Sequence, residues 1–415
     1  MHILFFTDNF PPEVNAPASR TFEHARVWVE LGHQVTVITC VPNFPTGKAF
    51  EGYKNRPWQS ESLDGIRVVR VWSYIAANTG FLRRTLDFIS YMVTSFLASF
   101  FIRRVDVIIG TSPQFFTVCS AWLASVFKRR PWVFELRDIW PESIRAVGAL
   151  QDSRFLDLME KLELFLYRRS SLIVTVTKSF KVALVSRGID AAKIVTVTNG
   201  VDLAHFKPIE KDPLLVEELG LEGKFIAGYI GTHGMAHALG TVLDAATLML
   251  TENPSVVFIL LGAGAEKANL QAIANERNLT NVIFIDPVPK DQVARYWSVL
   301  DAAIIHLKRT PLFKTVIPSK LFECMAMGIP VLHGVEGESA EIVLEAKAGT
   351  CFIPEEPDDL KSSLLKLESN KPLRKSLSLA GPVAAQSYGR EQLARDMITN
   401  IKNLSRFREQ LQTGK

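Results

Sequence analysis

Short apolar runs alternate with longer amphipathic stretches along the chain, and that rhythm predicts the strand–helix units of a parallel α/β protein. In the first half, a strand from His2 to Thr7 ends in the loop Asp8 to Ala18, a helix follows from Ser19 to Leu31, and Gly32-His33 leads into the strand Gln34 to Cys40. Further strands are expected at Val105 to Gly110, Trp132 to Leu136, Leu172 to Thr177 and Ile194 to Val197, with a long helix from Ser153 to Arg169. The chain then meets an Asn199-Gly200 turn and the polar stretch Lys207 to Asp212, which read as a connection between domains. From Phe225 the pattern starts again. Strands at Phe225 to Ile230, Val256 to Leu261, Val282 to Ile285 and Ala302 to Ile305 alternate with helices at Ala238 to Leu250, up to Ala274, and Asp291 to Trp297. A last helix from Ser319, stopped by Gly328 and Pro330, precedes a strand from Val331 to His333. The expectation is two α/β domains, 1–203 and 204–389, with a helical segment 390–415 at the end.

Size agrees with two domains, because 415 residues are too many for one core. Hydrophobic residues make up 47% of the chain, which excludes a disordered or fibrous protein. The net charge of +4 hides an asymmetry: residues 1–205 hold 24 Lys+Arg against 18 Asp+Glu, and the remainder holds 23 against 25. A basic first domain points to an anionic partner, yet the excess is too small, and an aromatic-basic module too plainly missing, for nucleic acid. Cys40, Cys119, Cys324 and Cys351 are scattered among apolar residues and fit neither a zinc spacing nor a disulfide framework. The chain begins with a strand pattern rather than a signal peptide, and no run reaches the roughly 18 uncharged residues needed to span a bilayer. A cytoplasmic protein held at the inner face of the membrane is expected.

Candidate chemistry in the first domain lies in loops at the carboxyl ends of strands, where open α/β sheets hold ligands. Pro12 to Pro17 carries Glu13, Asn15 and Ala16; Pro42 to Gly47 carries Asn43; Thr111 to Gln114 carries Ser112. Each is either a rigid Pro-bearing turn or a cleft wall. The loop Arg137 to Glu142 is charged: Asp138 either orients or deprotonates a hydroxyl or caps a helix before Trp140, and Arg137 either meets a phosphate or pairs with a neighbouring acid. In segment 82–104, residues Phe88 to Ile102 carry no charge over 15 positions and are bracketed by Arg83-Arg84 and Arg103-Arg104. Either a helix lying on a lipid surface or a buried helix satisfies that pattern. A second basic cluster, Lys128-Arg129-Arg130, favours the lipid surface.

In the second domain the segment Pro318 to Val331 stands out. Ser319 is placed to cap the helix, Lys320 and the first-turn amides suit a phosphate, and Glu323 one turn deeper suits the vicinal hydroxyls of a ribose. The alternative is an ordinary amphipathic helix with a solvated Glu. Gly231-Thr232-His233-Gly234 would let backbone approach a diphosphate, with His233 a ligand to phosphate or sugar. Gly262-Ala263-Gly264 begins like a dinucleotide fingerprint, but Lys267 stands where the third Gly belongs, so a nicotinamide cofactor is not expected. Lys267 reads as a phosphate donor or a solvated helix residue, and His33 as structural.

With those residues in place, the chain resembles GT-B glycosyltransferases of family 4 over essentially its whole length. The resemblance is carried by Pro318 to Val331, by Asn199-Gly200-Val201-Asp202 with Phe206 and Pro208, by Gly231 to Gly234, and by Gly32-His33. Asn9-Phe10-Pro11-Pro12-Glu13, the Asp138 to Glu142 loop and Pro318-Ser319-Lys320 are similar to bacterial O-antigen and capsule transferases that use acetamido sugars, the L-fucosamine transferases among them. The resemblance implies two Rossmann-like domains facing each other across a cleft. It implies a peripheral membrane enzyme that moves a 6-deoxy acetamido sugar such as L-FucNAc from a UDP-sugar to an undecaprenyl-diphosphate-linked glycan, retaining configuration and needing neither metal nor cofactor. Glu323 would bind the ribose, Ser319, Lys320 and Gly231 to His233 the diphosphate, Val288 and Pro289 the base through their backbone, with Leu321 beside them. Asp138, Lys320 and Glu323 would be the catalytic residues. Where the family has a Glu eight residues before the ribose Glu, this chain has Thr315 among apolar neighbours, hence the expected 6-deoxy donor. Two other readings compete: a nucleotide-sugar 2-epimerase or hydrolase on the same scaffold, and a membrane-associated scaffold that keeps an inactive transferase fold. The helical segment after Arg390 is expected to return to the first domain.

Overall fold

The computed structural model describes residues 1–44, 46–75, 81–139 and 154–413. Pro45, Trp140, Pro141 and Glu142 of the candidate loops, and Ser153 at the expected start of the long helix, lie outside them. The chain divides into two units, Met1–Thr198 with Arg390–Lys415, and Asn199–Gly389. The division falls shortly before the expected 203/204 boundary, at the end of the last strand of the first sheet.

Among the described residues the first unit holds eight strands: β1 (His2–Phe6), β2 (Gln34–Cys40), β3 (Trp58–Leu63), β4 (Ile66–Val71), β5 (Val107–Thr111), β6 (Trp132–Leu136), β7 (Leu172–Thr175) and β8 (Ile194–Thr196). Their order is β3-β4-β2-β1-β5-β6-β7-β8. The central strands are buried on both faces, which explains why β1 and β5 read as mostly apolar runs, while β6 carries the buried Glu135. The antiparallel hairpin β3–β4 was absent from the sequence reading. Its turn is Asp64-Gly65, both with positive φ (48° and 77°), the chemistry of a two-residue hairpin.

The helix Phe81–Ser99 is buried along one face and exposed along the other. Tyr91, Ser95, Ala98 and Ile102 are buried; the Tyr91 hydroxyl donates to the Thr7 and Ile38 carbonyls at 2.8 Å, and Ser95 meets Ser120 at 2.8 Å. Leu86, Ile89, Val93, Leu97 and Phe100 form the opposite stripe and are exposed, with Phe101 72% exposed beyond them. No helix of the described residues is long and apolar enough to cross a membrane.

The helix Arg390–Thr413 packs within the first unit. Ala394, Met397, Ile398 and Ile401 join the core around Trp28, whose indole N–H donates to the Ala394 carbonyl at 2.9 Å. Arg390 pairs with Glu23 at 2.6 Å.

The second unit is a six-stranded parallel sheet in the order β11-β10-β9-β12-β13-β14, from β9 (Phe225–Ile230), β10 (Val256–Leu261), β11 (Val282–Ile285), β12 (Ala302–His306), β13 (Val331–Gly334) and β14 (Gly349–Cys351). Helices cover both faces, giving two apolar clusters, one on Trp297, Phe322 and Met325 and the other on Tyr229, Phe258 and Leu332. The helix expected from Ala238 begins at Gly240, after a 3-10 turn at Met235–His237. All four cysteines are thiols.

Candidate active site

In the second unit, the loops after β9 and β10 interlock by backbone. Gly231 N donates to Leu261 O at 2.9 Å, His233 N to Ala263 O at 2.8 Å, and Glu266 N to His233 O at 2.9 Å. Gly262 and Gly264 are small because a Cβ on either would strike the backbone of Gly231 or His233. The partial fingerprint at 262–264 is therefore a packing device that holds the 231–234 loop, which accounts for the missing third glycine.

Lys267 is a correction. Its ammonium donates to the Gly262 and Ile285 carbonyls at 2.8 and 3.0 Å and pairs with Asp286 at 2.6 Å. Three partners engage three protons, so Lys267 ties strand ends together instead of reaching for a phosphate. His233 is fully buried, with both ring nitrogens unpartnered, and burial holds its pKa down to about 4.

The helix predicted from Ser319 spans Lys320–Met327 and closes at Gly328. Ser319 occupies the cap position, but its side chain makes no capping bond, and the amides of Leu321 and Phe322 turn back to Pro318 O and Ser319 O at 3.0 and 3.2 Å. Two first-turn amides are thus already engaged. Leu321 is a core residue, and Glu323 is the one residue of 321–327 that is not buried. Lys320 supplies the positive charge: its Nζ is buried without a hydrogen-bond partner and lies 3.7 Å from the centroid of the Tyr229 ring. Burial pushes its pKa down to about 7, against the pull of Cys324 and Glu323. A Cβ on Gly231 would collide with this ammonium, so loop and lysine are in immediate contact. Structure therefore groups Gly231, Thr232, Lys320 and, a turn deeper, Glu323. Tyr229 belongs to the group and was read only as strand core; its one sequence signal was a hydroxyl that needs a partner once buried.

Thr315 ends a short 3-10 turn and donates its hydroxyl to Leu312 O at 2.6 Å. The expected apolar wall is partly consumed by the core, because Ile317 is buried and Phe313 and Val316 pack on the same cluster. Pro289 precedes the helix Lys290–Ser298, and Val288 also packs on that cluster, leaving backbone as what this loop offers.

In the first unit, several candidates prove to be the scaffold of the loops. Glu13 accepts from the amides of Phe10, Asn43 and Phe44 at 3.2, 2.9 and 2.8 Å, although burial still pushes its carboxyl up to about 7. Asn15 caps the helix Ala16–Glu30 through Ala18 N at 3.0 Å, so Ala16 is helical rather than in a loop. Asn43 donates to Val41 O at 2.9 Å. The Ser112 hydroxyl accepts from the amides of Arg137 and Asp138 at 2.8 and 3.2 Å and sets the start of that loop.

Beneath it, Arg20 pairs with Glu135 at 2.9 Å and donates to the carbonyls of Val197 and Thr198. Arg137 Nη1 is buried without a partner, and burial lowers that guanidinium to about 10 despite Glu135. Asp138 is raised to about 6 by burial, with Arg137 opposing. A half-buried carboxyl that ionises close to neutrality suits proton transfer.

The architecture is that of two parallel-sheet α/β domains. Residues 15–200 match the glycosyl transferase 4-like domain and residues 213–382 the glycosyl transferases group 1 domain. Between them the two domains span most of the chain, which is a GT-B glycosyltransferase of the family 4 type. It is 24% identical over 413 residues to the putative colanic acid biosynthesis glycosyl transferase WcaI of Escherichia coli K12, covering 97% of this chain and all of that protein. Among solved structures, sucrose-phosphate synthase from Thermosynechococcus elongatus superposes with a TM-score of 0.78 at 15% identity, covering 97% of this chain and 98% of that one. Anabaena HepE in complex with UDP-glucose superposes at 0.71 and 17% identity, covering 97% of this chain and 100% of its own.

Proposed function

We propose that this glycosyltransferase moves a sugar from a UDP-sugar to a lipid-diphosphate-linked glycan in the assembly of a bacterial surface polysaccharide, with retention and without a metal. The observation that carries the reading is the buried Lys320 ammonium, unpartnered beside Gly231 at the head of the helix that bears Glu323. An ammonium so placed stabilises charge on a departing diphosphate better than the same group in water, because it is already desolvated and needs no reorganisation. Glu323 would hold the ribose hydroxyls, the Val288-Pro289 backbone the base, and Asp138 would orient or deprotonate the acceptor hydroxyl. UDP and UDP-glucose in HepE support a uridine donor, and the name of WcaI supports a polysaccharide product. Leu312, which stays outside the cluster on Trp297, Phe322 and Met325 beside Thr315, favours a donor with a methyl at C6, such as an L-fucosamine derivative.

A lipid-borne acceptor agrees with the exposed stripe Leu86, Ile89, Val93, Leu97 and Phe100, flanked by Arg103, Arg104 and Arg129. Such a face suits peripheral binding to an anionic leaflet. The test is transfer, measured with EDTA present throughout, from a panel of UDP-sugars to a lipid-diphosphate acceptor. Lys320→Ala and Glu323→Ala should each lower kcat/KM by about 100-fold or more while the circular dichroism spectrum is unchanged. Wild-type rates in either variant overturn the assignment, equal turnover of 6-hydroxy and 6-deoxy donors overturns the methyl preference, and UDP release that needs no acceptor marks a hydrolase or epimerase instead.

A further inference from the structure

A lysine ammonium is costly to bury without hydrogen bonds, so the group that faces it in the interior deserves a role. For Lys320 that group is Tyr229, fully buried in β9, whose ring face lies 3.7 Å from Nζ. The same side chain has a second contact. Its hydroxyl donates to the Thr232 carbonyl at 2.8 Å, inside the loop whose Gly231 touches the ammonium. His233 and His237 flank the ring at centroid distances of 6.0 and 5.7 Å. The charged and titratable groups facing Lys320 are Glu323 and Cys324 from its own helix and the two histidines from the segment after β9, with Lys267 beside His233.

We propose that Tyr229 is a positioning residue of the diphosphate site: its ring holds the Lys320 ammonium against Gly231 and its hydroxyl fixes the loop, so that an arriving diphosphate meets Lys320 in place for a charge-assisted pair. This rests on the reading above that the ligand is a nucleotide-diphosphate sugar. Gly231 has φ +147°, and any side chain there would displace the ammonium, so loop conformation and lysine position are one arrangement. Burial pushes the Lys320 pKa down to about 7, and a dianion within hydrogen-bond reach favours its charged form. His233 and His237, at about 4 and about 3 because of burial, stay neutral above pH 6 and supply no protons. The aromatic face favours the charged lysine; a side chain without a ring makes Lys320 still easier to deprotonate.

The experiment is calorimetric titration of the full-length enzyme with UDP-glucose, whose diphosphate has no proton titrating near neutrality, in pairs of buffers that differ in ionisation enthalpy. Wild type should take up about half a proton at pH 7 and close to one at about pH 8.5. Lys320→Met should abolish the uptake. Tyr229→Leu should increase uptake at pH 7, whereas Tyr229→Phe, which keeps the ring, should restore the wild-type uptake while binding more weakly because the loop is released. Equal heats in both buffers, with UDP-glucose bound, overturn the proposal and leave the functional reading intact, and so does a Tyr229→Leu profile identical to wild type. No binding of UDP-glucose, UDP or GDP overturns both.

Discussion

Single residues decide what the helix at Pro318 contributes. The place of Lys320 and Glu323 in the first turn of a helix was legible from the sequence, because a Pro-Ser pair precedes them and a Gly stop follows. Ser319 and Lys267 were misread for a physical reason: whether a hydroxyl caps or an ammonium reaches solvent depends on which carbonyls the fold brings near, and those come from other loops. Asp138 carries a prediction at the same scale. Because burial raises its pKa to about 6, its base form is lost as pH falls through that value. The rate should be level above about pH 7 and fall roughly tenfold per unit below pH 6. Asp138→Asn should lower kcat by about 100-fold or more and remove that inflection. A wild-type profile flat down to pH 5 would take Asp138 out of proton transfer.

Among elements, strands buried on both faces were the easiest to read, since most of their residues must be apolar. The hairpin β3–β4 at the sheet edge was missed: Trp58–Leu63 is mostly exposed, so its alternation is weak and only Asp64-Gly65 marks it. Phe81–Ser99 was ambiguous because its inner face uses Tyr, Ser and Ala while its outer face is Leu, Ile and Val, the reverse of a surface helix in water. Phe101 and Phe127, 72% and 60% exposed, extend the outer face beyond the helix. Flotation with vesicles containing about a third anionic lipid should recover the wild type. The pair Phe101→Ser and Phe127→Ser should reduce the bound fraction about tenfold or more, each ring contributing about 1–2 kcal/mol on burial. High salt should reduce it further by screening the flanking arginines. Undiminished flotation of the double variant would mean that this face stays in water.

At the scale of the molecule, a repeated strand–helix rhythm made the two-unit plan visible, but sequence order alone does not say where a terminal helix packs. The chain leaves the first unit at Thr198 and rejoins it at Arg390, where Trp28, Ala394, Met397, Ile398 and Ile401 complete a shared core. The first unit is therefore closed by residues about 190 positions away, while every residue proposed to hold the donor lies within Asn199–Gly389. That separation makes stability and donor binding independently measurable. Ile398 is 1% exposed, so Ile398→Ala removes buried methyl groups and leaves a cavity at a cost of about 2–5 kcal/mol. Calorimetry should show a lowered unfolding transition for the first unit, and the affinity for UDP-glucose below that transition should match wild type. A fall in donor affinity parallel to the loss of stability would show that donor binding depends on the first unit's core.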